Sequence, residues 1–543
     1  MKKLGFAAAA LLAACASSTA TTGTATGPAP LSHDALVSHV RVLASDEYEG
    51  RSPGTHGEEL TVAYISRAFA AAGLQPGVNG DWVQDVPLAT AEVTNNPTLR
   101  VGSSAYAYGA DWVGWTKRQN APRIDLSNAE LVFVGYGVTA PENNWDDFAG
   151  VDVRGKVIVM LINDPDFDTG DDRGFGGRRM TYYGRWTYKF EEAARRGAAG
   201  ALIVHEDAAA AYPWPVVNSS WTGPQHDLAR ADNGADRAQV EGWITNRVAR
   251  ELFTRAGLDF DRERARAQNR GFTPVSLRQR ASVTLETTIE RHASRNVIGV
   301  LPGRARPQEA VLYGAHWDHL GRCTAVDGDD ICNGARDNAT GVAGLIELAR
   351  EYQRHGAPER SVAFIAFTAE ESGLLGSQYY GEHQIFEPRN TAMMINMDGL
   401  STVGPSRNMS VVGFGQNDLQ DTLATVLLGQ DRTISPETYP ERGSFYRSDH
   451  FNLARTGVPV LYAGAGDDLV NGGRERSRQL AEAYIANAYH KPDDEISDDW
   501  DMSGATQDLQ ALYAVGRGVA DSDAWPQWNE SSEFRAARTA QGR

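Results

Sequence analysis

The sequence predicts an α/β protein built on a mixed, mainly parallel central sheet flanked by helices, with a smaller separate module in its middle. Two observations predict the sheet. From residue 296 onward, apolar strands at 296–300, 310–313, 361–368, 391–397, 409–412 and 458–462 alternate with helical stretches, among them 340–352. The strands are also continuously apolar, which reads as a parallel sheet covered on both faces. A third observation predicts the module. Strand-like runs at 131–138, 155–161 and 201–204 enclose a helical run at 190–196, with glycines at the junctions. This pattern reads as a small α/β or β-rich unit.

The chain has 543 residues, room for roughly two to four domains. Its 41% hydrophobic and 22% charged residues are ordinary globular composition. The formal net charge is -18, without a dense Lys/Arg block. That argues against a nucleic-acid or anionic-membrane surface and leaves room for carboxylates gathered around divalent cations. Met1-Lys2-Lys3 precedes an apolar run over 4–14, too short to span a bilayer and suited to a signal peptide. The run ends in Leu12-Ala13-Ala14-Cys15, which resembles the lipobox of bacterial lipoproteins. Cys15 is then expected to carry lipid and to anchor the protein in the cell envelope, at the periplasm or outer membrane. The alternative is a plain signal peptide and a secreted protein. Residues 16–30, dominated by Thr, Ser, Ala, Gly and Pro, read as a flexible tether.

Three cysteines fit export. With Cys15 lipidated, Cys323 and Cys332 remain, flanking an acidic loop. They are placed to close a small disulfide in an oxidising compartment. Two free thiols or a metal pair are the alternatives, although no further cysteine completes a thiolate zinc site.

The remaining elements follow from periodicity. Residues 33–44 read as a helix, 49–54 as a Gly-rich turn, and 58–72 as a second amphipathic helix ending at Gly73. Residues 246–270 are charged and helical, leading out of the middle module. From Trp525 onward the chain is polar, with two tryptophans and no readable chemistry.

Sites in open α/β sheets form beyond the carboxyl ends of the strands. Here the strand at 311–313 runs into Gly314-Ala315-His316-Trp317-Asp318-His319. The loop Gly334-Ala335-Arg336-Asp337-Asn338-Ala339 leads into a helix. The strand at 362–367 ends in Thr368-Ala369-Glu370-Glu371, and that at 393–396 in Met397-Asp398-Gly399. Tyr489-His490-Lys491-Pro492 follows a further helix. Each has an ordinary reading alone. A strand-end Asp caps a helix or forms a turn, Glu370-Glu371 is a solvated helix start, and His490 is a partly exposed histidine. Together they set histidines and carboxylates where one sheet brings them into a cleft. Burying so many carboxylates without cations is costly, and imidazole with carboxylate suits zinc or a similar divalent metal.

The five blocks His-Trp-Asp-His, Gly-Ala-Arg-Asp-Asn-Ala-Thr-Gly, Ala-Glu-Glu-Ser-Gly, Asn-Met-Asp and Tyr-His-Lys-Pro-Asp-Asp resemble, in order, those of the M28 family of co-catalytic zinc peptidases. That family includes bacterial leucine-type aminopeptidases and glutamate carboxypeptidase II. The resemblance covers 33–128 and 295–518, and 129–285 resembles the protease-associated (PA) domain that some members carry as an insertion. It implies the zinc-dependent exopeptidase fold and a division into 31–128 (first catalytic part), 129–285 (PA-like insert), 286–522 (catalytic domain) and 523–543 (tail). It implies two zinc ions. His316 and Asp398 would hold one, Glu371 and His490 the other, and Asp337 would bridge them, followed by a cis Asp337-Asn338 peptide. Glu370 would be the general base and Asp318 would orient the His316 imidazole. Family members also donate a phenol from a loop before a Ser-Asp-His segment. In the loop at 442–450 the candidate is Tyr446, whose alternative is to pack in the pocket wall.

The activity implied is exopeptidase, an aminopeptidase taking residues from peptide N-termini, because an acidic site suits a free ammonium. A carboxypeptidase, with Arg442 or Arg447 for the C-terminal carboxylate, is the alternative within the class. A one-zinc glutaminyl-cyclase-like transferase and a non-catalytic binding protein share the fold. The expected partners are peptide substrates, with no nucleic acid and no membrane contact beyond the lipid anchor. The aromatic run Tyr182–Tyr188 reads as core, with a lining of the substrate approach as the alternative. Gly413-Phe414-Gly415 is too short for a dinucleotide fingerprint, and Ser448, Asp449 and His450 are contiguous, unlike a serine triad.

Overall fold

The computed structural model describes residues 31–543. The leader, Cys15 and the 16–30 tether lie outside the described residues. Two sheets meet on one strand. The first runs in the order Gln225–Leu228, Val83–Val93, Val275–Leu301, Arg360–Phe367, Arg306–His316, Thr391–Asn396, Val460–Ala465, Asn408–Val412, Thr433–Pro436. Its four central strands, from Arg360–Phe367 to Val460–Ala465, are parallel. Antiparallel pairings flank them, so the sheet is mixed, as its apolar strands predict.

Successive residues of one strand serve opposite faces. Val311, Tyr313 and Ala315 face a core shared with the helices His33–Leu43, His56–Ala71, Thr340–His355 and Ser503–Asp521. Ala310 and Leu312 face a second core with Phe451, Trp528 and Phe534. Both faces being covered, no polar alternation survives in these strands.

The second sheet runs Ser104–Tyr106, Leu99–Val101, Val275–Leu301, Arg123–Phe133, Val157–Leu161, Gly200–His205, Val240–Thr245, Trp112–Trp115. It therefore begins at Leu99, not at 129. The strands at 99–115 and the start of Arg123–Phe133, assigned from sequence to the first catalytic part, pair here. Strands of three or four residues are too short to display a period. The 27-residue strand Val275–Leu301 serves both sheets. Through Glu286 it pairs with Arg123–Phe133, and from Thr287 with Val83–Val93.

The C-terminal stretch is part of the fold, not a tail. Trp528 and Phe534 are buried in the second core, and the Trp528 indole N–H donates to the Gly457 carbonyl at 3.0 Å. Cys323 and Cys332 are joined by a disulfide that closes the hairpin Gly321–Val326/Asp329–Cys332. Among the described residues no helix is long and apolar enough to cross a membrane.

Candidate metal centre

The parallel strands end at one edge of the first sheet, and the loops beyond them carry the polar residues. His316 is the last residue of Arg306–His316, fully buried. Its Nε2 lies 3.3 Å from Asp337 Oδ1 and 3.5 Å from Asp398 Oδ1. Asp398 follows Thr391–Asn396, the neighbouring strand. Asp337 leads into the helix Thr340–His355 across a peptide that is cis to Asn338. Its second oxygen lies 3.4 Å from His490 Nε2, which is 3.2 Å from Glu371 Oε2. Asp337 thus stands between two groups, His316 with Asp398 and His490 with Glu371.

These separations have a chemical meaning. Direct charge-assisted hydrogen bonds run at about 2.7–2.9 Å. Two ligand atoms about 2.0–2.1 Å from one tetrahedral ion lie about 3.3 Å apart. His316 Nε2 is buried and has no hydrogen-bond partner, an orphan nitrogen that a cation shared with Asp337 and Asp398 would satisfy. The donor set, two imidazoles and three carboxylates, fits a pair of divalent ions.

The electrostatics agree with this grouping. Burial works against the charged ring of His316, yet Glu370, Asp337 and Asp398 hold its pKa well above the ordinary value. Burial likewise opposes the charge on His490, but Glu371 and Asp337 raise it to about 9. Burial opposes ionisation of Asp337 too, and His316 and His490 hold its carboxyl well below the usual range. Glu370 is pushed the other way. Burial first, then the Glu371, Asp398 and Asp449 charges, raise it well above an ordinary carboxyl, although the His316 ring pulls it down. A ligand-type oxygen of Glu370 lies within 4.8 Å of those of His316 and Asp398, so it faces the centre from beside it.

Asp318 works differently from the expectation. The His316 Nδ1 meets the backbone carbonyl of Asp318 at 3.1 Å, while its carboxylate is 3.8 Å away. That carboxylate accepts instead from the backbone N–H of Glu370 at 3.0 Å and of Glu371 at 3.3 Å. Asp318 thereby orients the imidazole through its main chain and pins the Glu370-Glu371 turn through its side chain. The turn enters through Ala369 at φ 52°, a left-handed conformation that non-glycine residues rarely adopt.

Tyr446 is not at the centre. It is buried among Tyr182, Phe445 and Phe451, and its hydroxyl donates to Glu533 at 2.5 Å. Its partner comes from the C-terminal stretch that carries no readable chemistry in sequence. Two other phenols feel the centre. Tyr489 stacks on the His490 ring at 3.9 Å and, burial apart, responds to Asp337, Glu371 and Glu370. Tyr462 responds, after burial, to Asp398 and Glu370. Arg442 lies over the Tyr439 ring. Tyr182 packs on Phe451 at 4.9 Å, so the aromatic run joins the second sheet to the first as core.

Sequence reading gave no role to two further residues. His319 is buried, with Nδ1 2.7 Å from Glu371 Oε1. Asp494 accepts from the backbone N–H of Arg336 at 3.1 Å and of Asp337 at 3.0 Å. Both sit inside recognisable blocks, but a contact 157 residues apart leaves no local signal.

Residues 296–514 match the family model described as peptidase family M28. Over that stretch the chain is similar to members of this family. All five grouped residues fall within the matched stretch. Aminopeptidase YwaD of Bacillus subtilis (strain 168) is 26% identical over 229 residues, 41% of this chain and 44% of its own. A protein named "Probable zinc metalloprotease" from Pyrenophora teres f. teres (strain 0-1) is 37% identical over 102 residues, 19% of this chain and 22% of its own. This chain thus spans less than half the length of these curated relatives. The solved aminopeptidase from Aneurinibacillus sp. strain AM-1 aligns over 91% of this chain and 95% of its own, with TM-score 0.51 and 19% identity, and shares the fold.

Proposed function

We propose that this protein is a two-zinc aminopeptidase of the M28 type that hydrolyses N-terminal residues from peptides. The observation that carries the reading is the set of four His–carboxylate separations of 3.2–3.5 Å arranged about one bridging Asp337. The names of the relatives, an aminopeptidase and a zinc metalloprotease, support the class. His316, Asp398, His490 and Glu371 would hold the two ions, with Asp337 common to both. Bound there, the ions supply polarisation of the scissile carbonyl and acidification of the attacking water. Glu370, beside the ligands and raised by burial, takes the proton from the water and returns it to the leaving amine. Asp318 keeps Glu370 and Glu371 in register. Tyr489 replaces Tyr446 as the phenol placed to donate to the developing oxyanion. Carboxylates around the cleft, Asp449 among them, favour the α-ammonium of a free N-terminus.

One observation favours a C-terminal substrate instead. The Arg185 Nε is buried without a hydrogen-bond partner, and burial and the facing Arg447 lower its pKa to about 10. Two mutually repelling guanidinium groups suit a carboxylate, as a carboxypeptidase needs.

The sequence at Leu12–Cys15 supports an exported, lipid-anchored protein, and we propose that the second sheet is a PA-like insert. The deciding experiment is zinc content together with hydrolysis of aminoacyl and dipeptide substrates bearing free or blocked amines. Two zinc per chain and cleavage confined to free amines are expected, with Glu370→Gln lowering kcat about 10²- to 10⁴-fold while retaining both ions. Cleavage of N-blocked substrates would favour the carboxypeptidase. One zinc without peptide hydrolysis would point to the cyclase-type transferase, and no metal to a binding protein.

A further inference from the structure

Three successive residues near the N-terminus, Glu49, Gly50 and Arg51, have φ of 46°, 64° and 51°. A left-handed turn of this kind is disfavoured for L-residues and persists only where its surroundings fix it. Gly50 is required within it, because a Cβ there would lie 2.4 Å from the Cys332 carbonyl oxygen. The turn drives the Arg51 side chain into the protein, where it is fully buried.

The guanidinium donates only to backbone carbonyls. Nε donates to Trp317 at 2.8 Å, Nη1 to Leu43 at 2.7 Å and Asn333 at 2.6 Å, and Nη2 to Gly334 at 2.8 Å. Trp317 follows His316 directly, and Gly334 stands three residues before Asp337. Between these loops the chain makes the disulfide-closed hairpin. Arg51 thus ties the two roots of that hairpin to one rigid fork. The charges it feels most are those of Asp494, Asp318, Asp337 and Glu371.

We infer that Arg51 is a positioning residue that fixes the spacing of the His316 and Asp337 loops before any metal arrives. The inference rests on the two-metal reading of the site. A planar guanidinium presents donors in fixed directions, whereas a lysine ammonium offers three on one rotating nitrogen and cannot span four carbonyls. Loops that must be ordered at the moment of binding hold metal less tightly.

The test pairs Arg51→Lys with Arg360→Lys. Arg360 is equally buried and donates to the Val519 and Ala524 carbonyls at 2.7 and 2.8 Å. It lies at the start of Arg360–Phe367, opposite the end that leads to Glu370. Both variants should melt earlier than the wild type. In competition with a chromophoric chelator, Arg51→Lys should raise the zinc Kd about 10- to 100-fold, and Arg360→Lys should leave it within about twofold. Wild-type affinity in Arg51→Lys, or equal weakening in Arg360→Lys, overturns the inference. A wild type that takes up no zinc removes the two-metal reading and the clamp with it, a result separable from the other two.

Hydrogen exchange on the metal-free wild type needs no variant to fold. Residues 316–319 and 333–338 should be protected while the Gly473–Asn487 helix, which Arg51 does not reach, exchanges. Fast exchange in the two loops also overturns the inference.

Discussion

The two imidazoles of the centre stand on opposite kinds of support. His316 closes a strand with neighbours on both sides and has no exposed surface. His490 has 36% of its side chain exposed and follows the helix Gly473–Asn487, none of whose residues is buried. It also sits in the left-handed region, at φ 57°. The ties on that side are few: the Tyr484 hydroxyl to Asp494 at 3.2 Å, Arg336 over the Tyr484 ring, and Tyr489 on His490. Stability is not uniform across a fold, and lightly packed segments open first. One side of the centre is therefore built by the sheet, and the other is completed by a segment that the sheet does not hold.

The largest expected effect separates these sides. His316→Ala should lose the ion shared with Asp398 and also destabilise the fold by about 2 kcal/mol or more, because a buried polar cluster is left unpaired. His490→Ala should lose the other ion while the fold changes by only about 0.5 kcal/mol. Zinc content after dialysis, read with urea midpoints, checks both, and equal destabilisation would break the comparison.

Chelation should sharpen it. Metal should leave in two phases, the faster from the His490 side, and His490→Ala should abolish the fast phase. A single phase in the wild type would mean that the two sides open together.

Acid should act on the sheet-borne side. Burial holds the His450 pKa down at about 3, between the rings of Phe445 and Tyr462. The unfolded chain takes up that proton below about 6.5. The folded chain does not, so this contribution to stability is complete above pH 6.5 and is lost as pH falls towards 3. The slope is at most about 1.4 kcal/mol per pH unit. Urea titrations between pH 7 and 5 should therefore show a shallower acid limb in His450→Gln than in the wild type.

The smallest effect concerns Tyr446. Tyr446→Phe should leave kcat within about twofold and cost about 1 kcal/mol of stability, the worth of its bond to Glu533. A large kcat loss with unchanged stability would return the phenol to the active site.

What could be read in the sequence follows from where each signal lies. Strands such as Val362–Phe367 are apolar on both faces, and the carboxylates at their ends stand out against that background. His316, Glu371 and Asp398 stand out for this reason, whereas Asp337, before a helix, and His490, after one, are picked out by resemblance. The start of the second sheet was not, since Leu99–Val101 and Ser104–Tyr106 are three residues each. The partner of Tyr446 was not legible either, because a hydroxyl's destination depends on chain 87 residues away. Asp318 shows the limit most clearly. Resemblance implies that it orients the His316 imidazole, whereas its carboxylate accepts from two backbone amides 52 and 53 residues on.

The strand Val275–Leu301 has a mechanical consequence. At about 3.3 Å per residue, its 27 residues make a girder of at most about 90 Å, shortened by irregularities between Ser276 and Val283 where Arg278 has φ 54°. Hydrogen-bonded ladders clamp it to one sheet along one stretch and to the other along the next, with the handover between Glu286 and Thr287. A free hinge needs a few residues without such ladders, and this girder has none at the handover. Relative motion of the two sheets must take the form of twist and flexure of one continuous beam, small in angle and felt along its whole length.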